Sequence, residues 1–415
     1  MTAPDTTGDP AHGAGGSPAD HADRGTADRG TADRGQADEQ RATPLLQVHQ
    51  GLGATLTPFA GWLMPLRYAS ETAEHNAVRA AAGLFDLSHM GEISVTGPDA
   101  GAALDYALTG NLSAVAPGRA RYTMICAADG GVLDDLVVYR LADDQYFVVA
   151  NAANAALVYQ ELADRAAGHD AEVRDVSLDY ALIAIQGPSA AAILAPRAER
   201  LDRAPLADLK YYASVRAVAC GEPVLLARTG YTGEDGFELF CRPDDAVAVW
   251  TALADAGTGD GLIPAGLSAR DTLRLEAGMP LYGNELSRDV TPFEAGLGRV
   301  VKFDKPGDFV GREALAARAR AGPRSRLIGL IGRSRRVPRH GYPVMLDGQV
   351  IGTVTSGAPS PTLGRPIAMA YVRPDAAGTG DMAADIHGEA RLAVDVRGQA
   401  EPADYAQLPF YRRTK

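Results

Sequence analysis

The sequence predicts an α+β protein with a separate all-β module at its C-terminal end, and three observations carry that expectation. Up to about residue 320, short β-branched runs alternate with Ala-rich helical stretches of uneven length, which is not the regular alternation of a doubly wound sheet. From residue 327 onward the apolar runs are short, separated by Gly and Pro, and no helical period interrupts them. At 415 residues the chain is too long for one comfortable core, so two or three compact units are expected.

Residues 1–42 read as a disordered low-complexity tail. Thr26-Ala27-Asp28-Arg29-Gly30 and Thr31-Ala32-Asp33-Arg34-Gly35 are tandem copies, after a partial copy at Ala22 to Gly25, and no large apolar residue follows Met1. Such a segment buries too little surface to offset its ordering entropy. It has no apolar stretch of the secretory type, and its aspartates argue against a transit peptide. The folded region, 43–320, opens at Thr43 with Leu45, Leu46 and Val48 and leads to Phe59-Ala60-Gly61-Trp62.

Strands are expected over Glu92 to Thr96, Tyr122 to Cys126, Leu136 to Arg140 and Tyr146 to Val149, and helices over Ala100 to Leu108 and Ala152 to Ala167. A second α+β passage runs from a strand at Ala181 to Gln186, through a helix at Ala190 to Leu194, to a strand at Pro223 to Arg228. Ala321 to Arg326 reads as a linker. The module at 327–415 then has strands around Leu327 to Ile331, Pro343 to Leu346, Gln349 to Thr355, Pro366 to Val372 and Ala390 to Val396.

Composition narrows the function classes. A formal net charge of -12 argues against a nucleic-acid surface, and the basic run Arg333 to Arg336 with Arg339 and His340 reads as a solvated loop. Three cysteines without C-x-x-C spacing fit a reducing cytoplasm, and the scattered histidines give no metal site. No apolar run approaches the ~20 residues of a membrane helix. The chain has no phosphate-binding loop of the G-x-x-x-x-G-K-[ST] type, no complete dinucleotide fingerprint after Gly51-Leu52-Gly53, and no G-x-S-x-G elbow.

Three stretches offer chemistry. In Gly131-Val132-Leu133-Asp134-Asp135-Leu136-Val137-Val138-Tyr139, two adjacent acids lie in a strand leaving the Gly130-Gly131 turn. Successive strand side chains point to opposite faces, so the two carboxylates face different surroundings. Either one of them faces a ligand cleft, or both are solvated at the mouth of the turn. In Thr229 to Phe240, Glu234 and Asp235 read as turn residues, whereas Glu238 alternates with Phe237 and Leu239. Glu238 suits either two parallel N–H bonds from a cyclic guanidine or a salt bridge to an arginine. Gly266 to Gly278 reads as a helix, with Ser268 as a possible cap and Gly278 as its end. Arg270 and Arg274 share a face there, alone a solvated one, and Met279 to Leu286 follows as a Pro-Gly loop of the kind that borders binding sites.

Taken in order, these stretches resemble the glycine cleavage system T protein (aminomethyltransferase) family, from about Thr43 to the C-terminus. The resemblance also includes Gly83 to Gly91, Leu182 to Pro188, Leu281-Tyr282-Gly283-Asn284, Gly352 to Gly357 and the ending Pro409-Phe410-Tyr411-Arg412. It implies a three-domain ring around a central channel for tetrahydrofolate, with a barrel or jelly-roll-like last domain. It implies Asp135 as the catalytic residue and Met90, Asn151, Tyr231, Glu238 and Arg270 as folate contacts. Arg299 stands where the family often has an aromatic.

The implied reaction moves the methylene carbon from the aminomethyl-dihydrolipoyl arm of the H protein to tetrahydrofolate, giving 5,10-methylenetetrahydrofolate and ammonia. It asks for placement of the reactants and a nearby negative charge, with neither metal nor flavin. A cytoplasmic monomer with the lipoylated H protein as partner, and no nucleic-acid or membrane partner, is the expectation. Two readings compete with it. One is a folate-dependent demethylase of the same fold; the other is a non-catalytic folate-binding factor of iron-sulfur assembly, whose K-G-C-x-x-G-Q-E type string is absent from this chain.

Overall fold

The computed structural model describes residues 40–376 and 392–413, so most of the tail expected at 1–42 lies outside the described residues. Four sheets organise this part of the chain: one of three strands, one of five, one of seven and a closed barrel of six. Helices and strands are mixed up to residue 321, and strands alone follow. The two central sheets position the site.

The five-stranded sheet is antiparallel and runs in the order Arg119–Cys126, Val132–Ala142, Gln145–Ala150, Gly91–Thr96, Glu172–Asp175. The seven-stranded sheet has Gly236–Cys241, Ala181–Gln186 and Ala82–Asp86 at its centre, with Leu262–Pro264 as a parallel edge strand. Strand alternation sorts the side chains of both sheets into layers. Ile183, Ile185, Phe237 and Leu239 point outward onto helix Ala246–Gly257 and helix Ala190–Leu194. Val138, Tyr146 and Val148 point onto helices Ala100–Ala107 and Ala155–Ala166. The remaining faces meet each other, with Leu182, Ala184 and Phe240 of one sheet against Tyr139, Phe147 and Val149 of the other. The order is therefore helices, sheet, sheet, helices, with an apolar layer between the sheets.

Strand Val132–Ala142 begins earlier than its apolar run suggests. Gly130 lies at φ +90, and a Cβ on Gly131 would fall 2.0 Å from the Arg288 carbonyl, so only glycine lets the turn pack this closely against the 288–290 loop. Val132 N–H then donates to Val290 O at 2.9 Å. Both aspartates are thereby drawn into the strand, which removes the reading in which they are solvated in the turn.

Helix Leu267–Glu276 is capped by Gly266 rather than by Ser268, which lies one residue inside it, and it ends before Gly278 at φ +64. The helix joins the first part of the chain to the barrel. Its Leu275 packs with Ala358, Ile367 and Met369. Arg274, expected on a solvated face, is only 1% exposed: it pairs with Glu285 at 2.9 Å and Asp271 at 2.7 Å, and donates to Ser356 at 2.8 Å. A lone guanidinium is too costly to bury, and these partners are what permit it. Glu276 accepts from His75 at 3.0 Å, from Thr362 at 2.8 Å and from Arg79 at 3.0 Å, tying the barrel loop 360–362 to helix Glu71–Ala80.

The barrel closes in the order Arg326–Gly332, Arg365–Val372, Gln349–Ser360, Pro343–Leu346, Leu392–Asp395, Ala400–Ala406. Residues 390 and 391 of the last strand but one, as expected from sequence, lie outside the described residues. Among the described residues no helix is long and apolar enough to cross a membrane.

Candidate active site

Asp134 and Asp135 diverge as strand geometry requires. Asp134 turns to the helical layer, fully buried, and accepts from Asn151 N–H at 2.9 Å, Asn151 Nδ2 at 2.8 Å and Asn154 Nδ2 at 2.8 Å. Asp135 turns to the layer between the sheets, where Tyr122 Oη donates to its Oδ2 at 2.9 Å and Asn151 Nδ2 to its Oδ1 at 2.8 Å. One asparagine amide thus spans both acids. Burial, followed by the charge of Asp135, pushes the Asp134 carboxyl up to about 7 against the pull of its asparagine donors. Burial also raises Asp135, while the bonds from Tyr122 and Asn151 act the other way.

Glu238 enters the same layer from the opposite sheet, on strand Gly236–Cys241 with Phe240 on its side. Its Oε2 accepts from Tyr139 at 3.2 Å and from Thr229 Oγ1. No described residue donates to Oε1, and no arginine pairs with the carboxylate, so the salt-bridge reading does not hold. Glu234 and Asp235, expected as plain turn residues, are the ones that pair with arginines: Glu234 with Arg79 at 2.8 Å and Asp235 with Arg228 at 2.6 Å.

A cavity of about 320 Å³ opens between the two acids. Asp135, Glu238, Met90, Asn151, Tyr231 and Arg270 all line it, so the structure brings together every site residue expected from sequence. Tyr231 bonds through its hydroxyl to Pro280 O and offers its ring, with the Arg270 guanidinium 4.8 Å from the ring centroid. Arg270 has no carboxylate within ion-pair distance among the described residues. Burial pulls its guanidinium below the usual value, opposed by the nearby Tyr231 and Glu238. Arg299, in contrast, is exposed and does not line the cavity; Leu297 does.

Tyr122, Tyr139, Tyr212 and Thr229 also line the cavity and were not singled out from sequence. Tyr139 carried a signal, since it lies two and four positions along one strand face from Val137 and Asp135. Tyr122 did not, because it reaches Asp135 through strand pairing with Val137. A second cavity, of about 460 Å³, is lined by His89, Phe59, Ala153, Tyr282 and Asn284 among others, and shares Met90, Asn151, Tyr231 and Arg270 with the first. Burial and the nearby Arg270 lower His89 to about 4, so its imidazole is neutral. No group of His, Cys, Asp and Glu among the described residues is arranged to hold a metal ion.

Residues 45–305 match the GCVT N-terminal domain family, and residues 325–412 match the glycine cleavage T-protein C-terminal barrel domain family. The aminomethyltransferase of Saccharopolyspora erythraea is 63% identical over 374 residues, covering 90% of this chain and 98% of that protein. That of Streptomyces coelicolor is 61% identical over 380 residues, covering 91% and 99%. The crystal structure of the glycine cleavage system aminomethyltransferase T from Bartonella henselae superposes with a TM-score of 0.81 at 35% identity, over 91% of this chain and 100% of that one.

Proposed function

The chain belongs to the glycine cleavage T-protein family and is an aminomethyltransferase of the glycine cleavage system, and we propose that the cavity between its two sheets is where tetrahydrofolate receives the methylene carbon. The H protein, carrying that carbon as an aminomethyl-dihydrolipoyl group, is the proposed partner. One observation carries the reading: each sheet contributes one carboxylate to a single cavity whose only described unpaired guanidinium is Arg270.

The chain's residues fit a reduced pteridine. Glu238 Oε1 is open to accept an N–H from the edge of the ring, while Tyr139 and Thr229 fix the rest of the carboxylate. Arg270 supplies charge-assisted bonds to ligand oxygens, and the Tyr231 ring beneath it gives a flat apolar surface. Tetrahydrofolate supplies the amine that takes the carbon. Asp135 holds negative charge where the transferring carbon becomes positive, and it is placed to accept and return a proton as ammonia departs. With the cavity filled by the pteridine, Asp135 is shut between the two sheets, where its field acts at low dielectric.

The second cavity meets the first at Met90, Asn151, Tyr231 and Arg270. With the pteridine at the Glu238 end, it offers the donor arm a route to Asp135, and we assign it that part. Free cysteines support a reducing compartment, the cytoplasm.

The test uses purified protein, tetrahydrofolate and aminomethylated H protein, with ammonia release as the readout. Asp135→Asn is expected to keep folate binding and to lose transfer by about 10²-fold or more. Turnover within a few-fold of the parent would remove Asp135 from the chemistry.

A further inference from the structure

We infer that the terminal strap Leu408–Arg413 is a positioning element for the folate cavity, fastening three loops that line it while lining nothing itself. The inference rests on the reading that folate occupies this cavity.

The first fastening is at the end of helix Leu267–Glu276. Gly278 has a left-handed backbone, and a Cβ there would meet Pro409 Cα at 3.0 Å and Leu408 Cβ at 3.3 Å. Tyr411 N–H donates to Glu276 O at 2.8 Å. The loop so held, Gly278-Met279-Pro280, lines the cavity and accepts the Tyr231 hydroxyl at Pro280 O.

The second fastening runs through Arg79, whose guanidinium lies 4.0 Å from the Tyr411 ring centroid. Arg79 donates to Thr232 O at 2.7 Å and pairs with Glu234 at 2.8 Å, which holds the loop bearing Gly230 and Tyr231. At the third, Arg413 pairs with Asp235 at 3.5 Å and lies 5.6 Å from the ring of Tyr211, the neighbour of the cavity-lining Tyr212.

Asp135 depends on none of these contacts, because Tyr122 and Asn151 hold it from the five-stranded sheet. Loosening the strap therefore disturbs the shape presented to folate and spares the reacting carboxylate. A ligand must then order the loops as it binds, which weakens affinity without changing the chemical step.

The test compares the double variant Tyr411→Ala/Arg413→Ala, the single Arg413→Ala and the conservative Tyr411→Phe with the parent in steady-state transfer. Leu408 and Phe410, which pack against the barrel, are left in place. The double variant is expected to raise the KM for tetrahydrofolate about threefold to tenfold with kcat within about twofold. Tyr411→Phe keeps the ring over Arg79 and removes only the interaction of the hydroxyl with Glu234, so its KM is expected to lie between those of the parent and the double variant. Exposed Arg413 can be removed without unfolding the chain, and a smaller rise in KM is expected for it. A KM unchanged in all three variants overturns the inference, as does a fall in kcat that tracks a lowered melting temperature. Glu238→Gln separates this inference from its premise. If that variant weakens folate binding and the strap variants do not, the strap inference alone fails; if none of them changes folate binding, the cavity assignment fails.

Discussion

At Asp135 the influences on one carboxyl can be separated. Burial raises it, and the bonds donated by Tyr122 and Asn151 oppose that rise. Tyr122→Phe removes one opposing bond, so the carboxyl rises further and ionises at higher pH. In the proposed role Asp135 acts ionised, so the acid limb of kcat/KM against pH is expected to move upward in this variant; a limb that stays in place would show that another group sets it. Glu92 gives a second prediction. It is 1% exposed, neither of its oxygens has a partner, and burial, with Asp175 and Glu238 nearby, lifts its carboxyl well above the ordinary range. An acid raised in the folded state contributes stability that is full below its unfolded value and is lost as pH climbs through the folded one. Glu92→Gln is therefore expected to be more stable than the parent at alkaline pH, by roughly 1–3 kcal/mol, and to flatten the pH dependence of the melting temperature. Strand parity made it legible that Asp134 and Asp135 face opposite ways and that Glu238 alternates with apolar neighbours, but the choice of Asp135 over Asp134 came from the family resemblance and not from the residues alone. Glu92 obeys the same parity, but nothing local reveals that its oxygens lack partners.

Elements bring these residues together by register. Strand Gly236–Cys241 pairs Glu238 with Ala184 on one side and Ala227 on the other, both small, which leaves room above them for a ligand. Glu238→Gln turns one acceptor oxygen into a donor. Folate affinity is expected to fall about tenfold by titration, with a smaller change in rate at saturation, and unchanged affinity would remove Glu238 from the binding edge. The short turn Ala152–Asn154 exposes Ala153 to the second cavity only. Ala153→Trp is expected to raise the KM for aminomethylated H protein while leaving folate titration near the parent's. The opposite pattern would place the folate tail, rather than the donor arm, in that cavity. Helix Leu267–Glu276 was legible in extent from its glycines, but the burial of Arg274 was not, since Glu285 and Ser356 approach it from a loop and from the barrel.

Across the whole molecule, the closed barrel was foreshadowed by Gly and Pro spacing, because short strands need frequent turns. The order of the seven-stranded sheet was not. Ala82–Asp86 lies between Ala181–Gln186 and Leu262–Pro264, and all three are apolar runs that carry no local mark of their partners. Beside the apolar contact of Leu275 with Ala358, Ile367 and Met369, the seam between barrel and helices has a polar part that centres on Glu276. Burial alone would raise this carboxyl, yet hydrogen bonds from His75, Ser360 and Thr362 hold it at about 2. The stability it contributes is therefore present above the ordinary carboxylate value and is lost as pH falls toward 2. Glu276→Gln is expected to cost on the order of 3 kcal/mol at neutral pH and to lose less on acidification than the parent does, as melting curves at pH 7 and pH 3 would register.

Asn151 has a directional consequence. Both hydrogens of its amide nitrogen are engaged, one by Asp134 and one by Asp135, and its oxygen accepts from no described residue. Any ring edge that meets this side chain finds only a lone pair, and must bring a hydrogen of its own. A pteridine nitrogen that carries hydrogen in the reduced state meets that demand, and the same nitrogen stripped of it by oxidation places lone pair against lone pair. With the proposed pteridine against this side chain, titration is expected to show tetrahydrofolate bound more tightly than folate, and equal affinities would take Asn151 away from the ring edge.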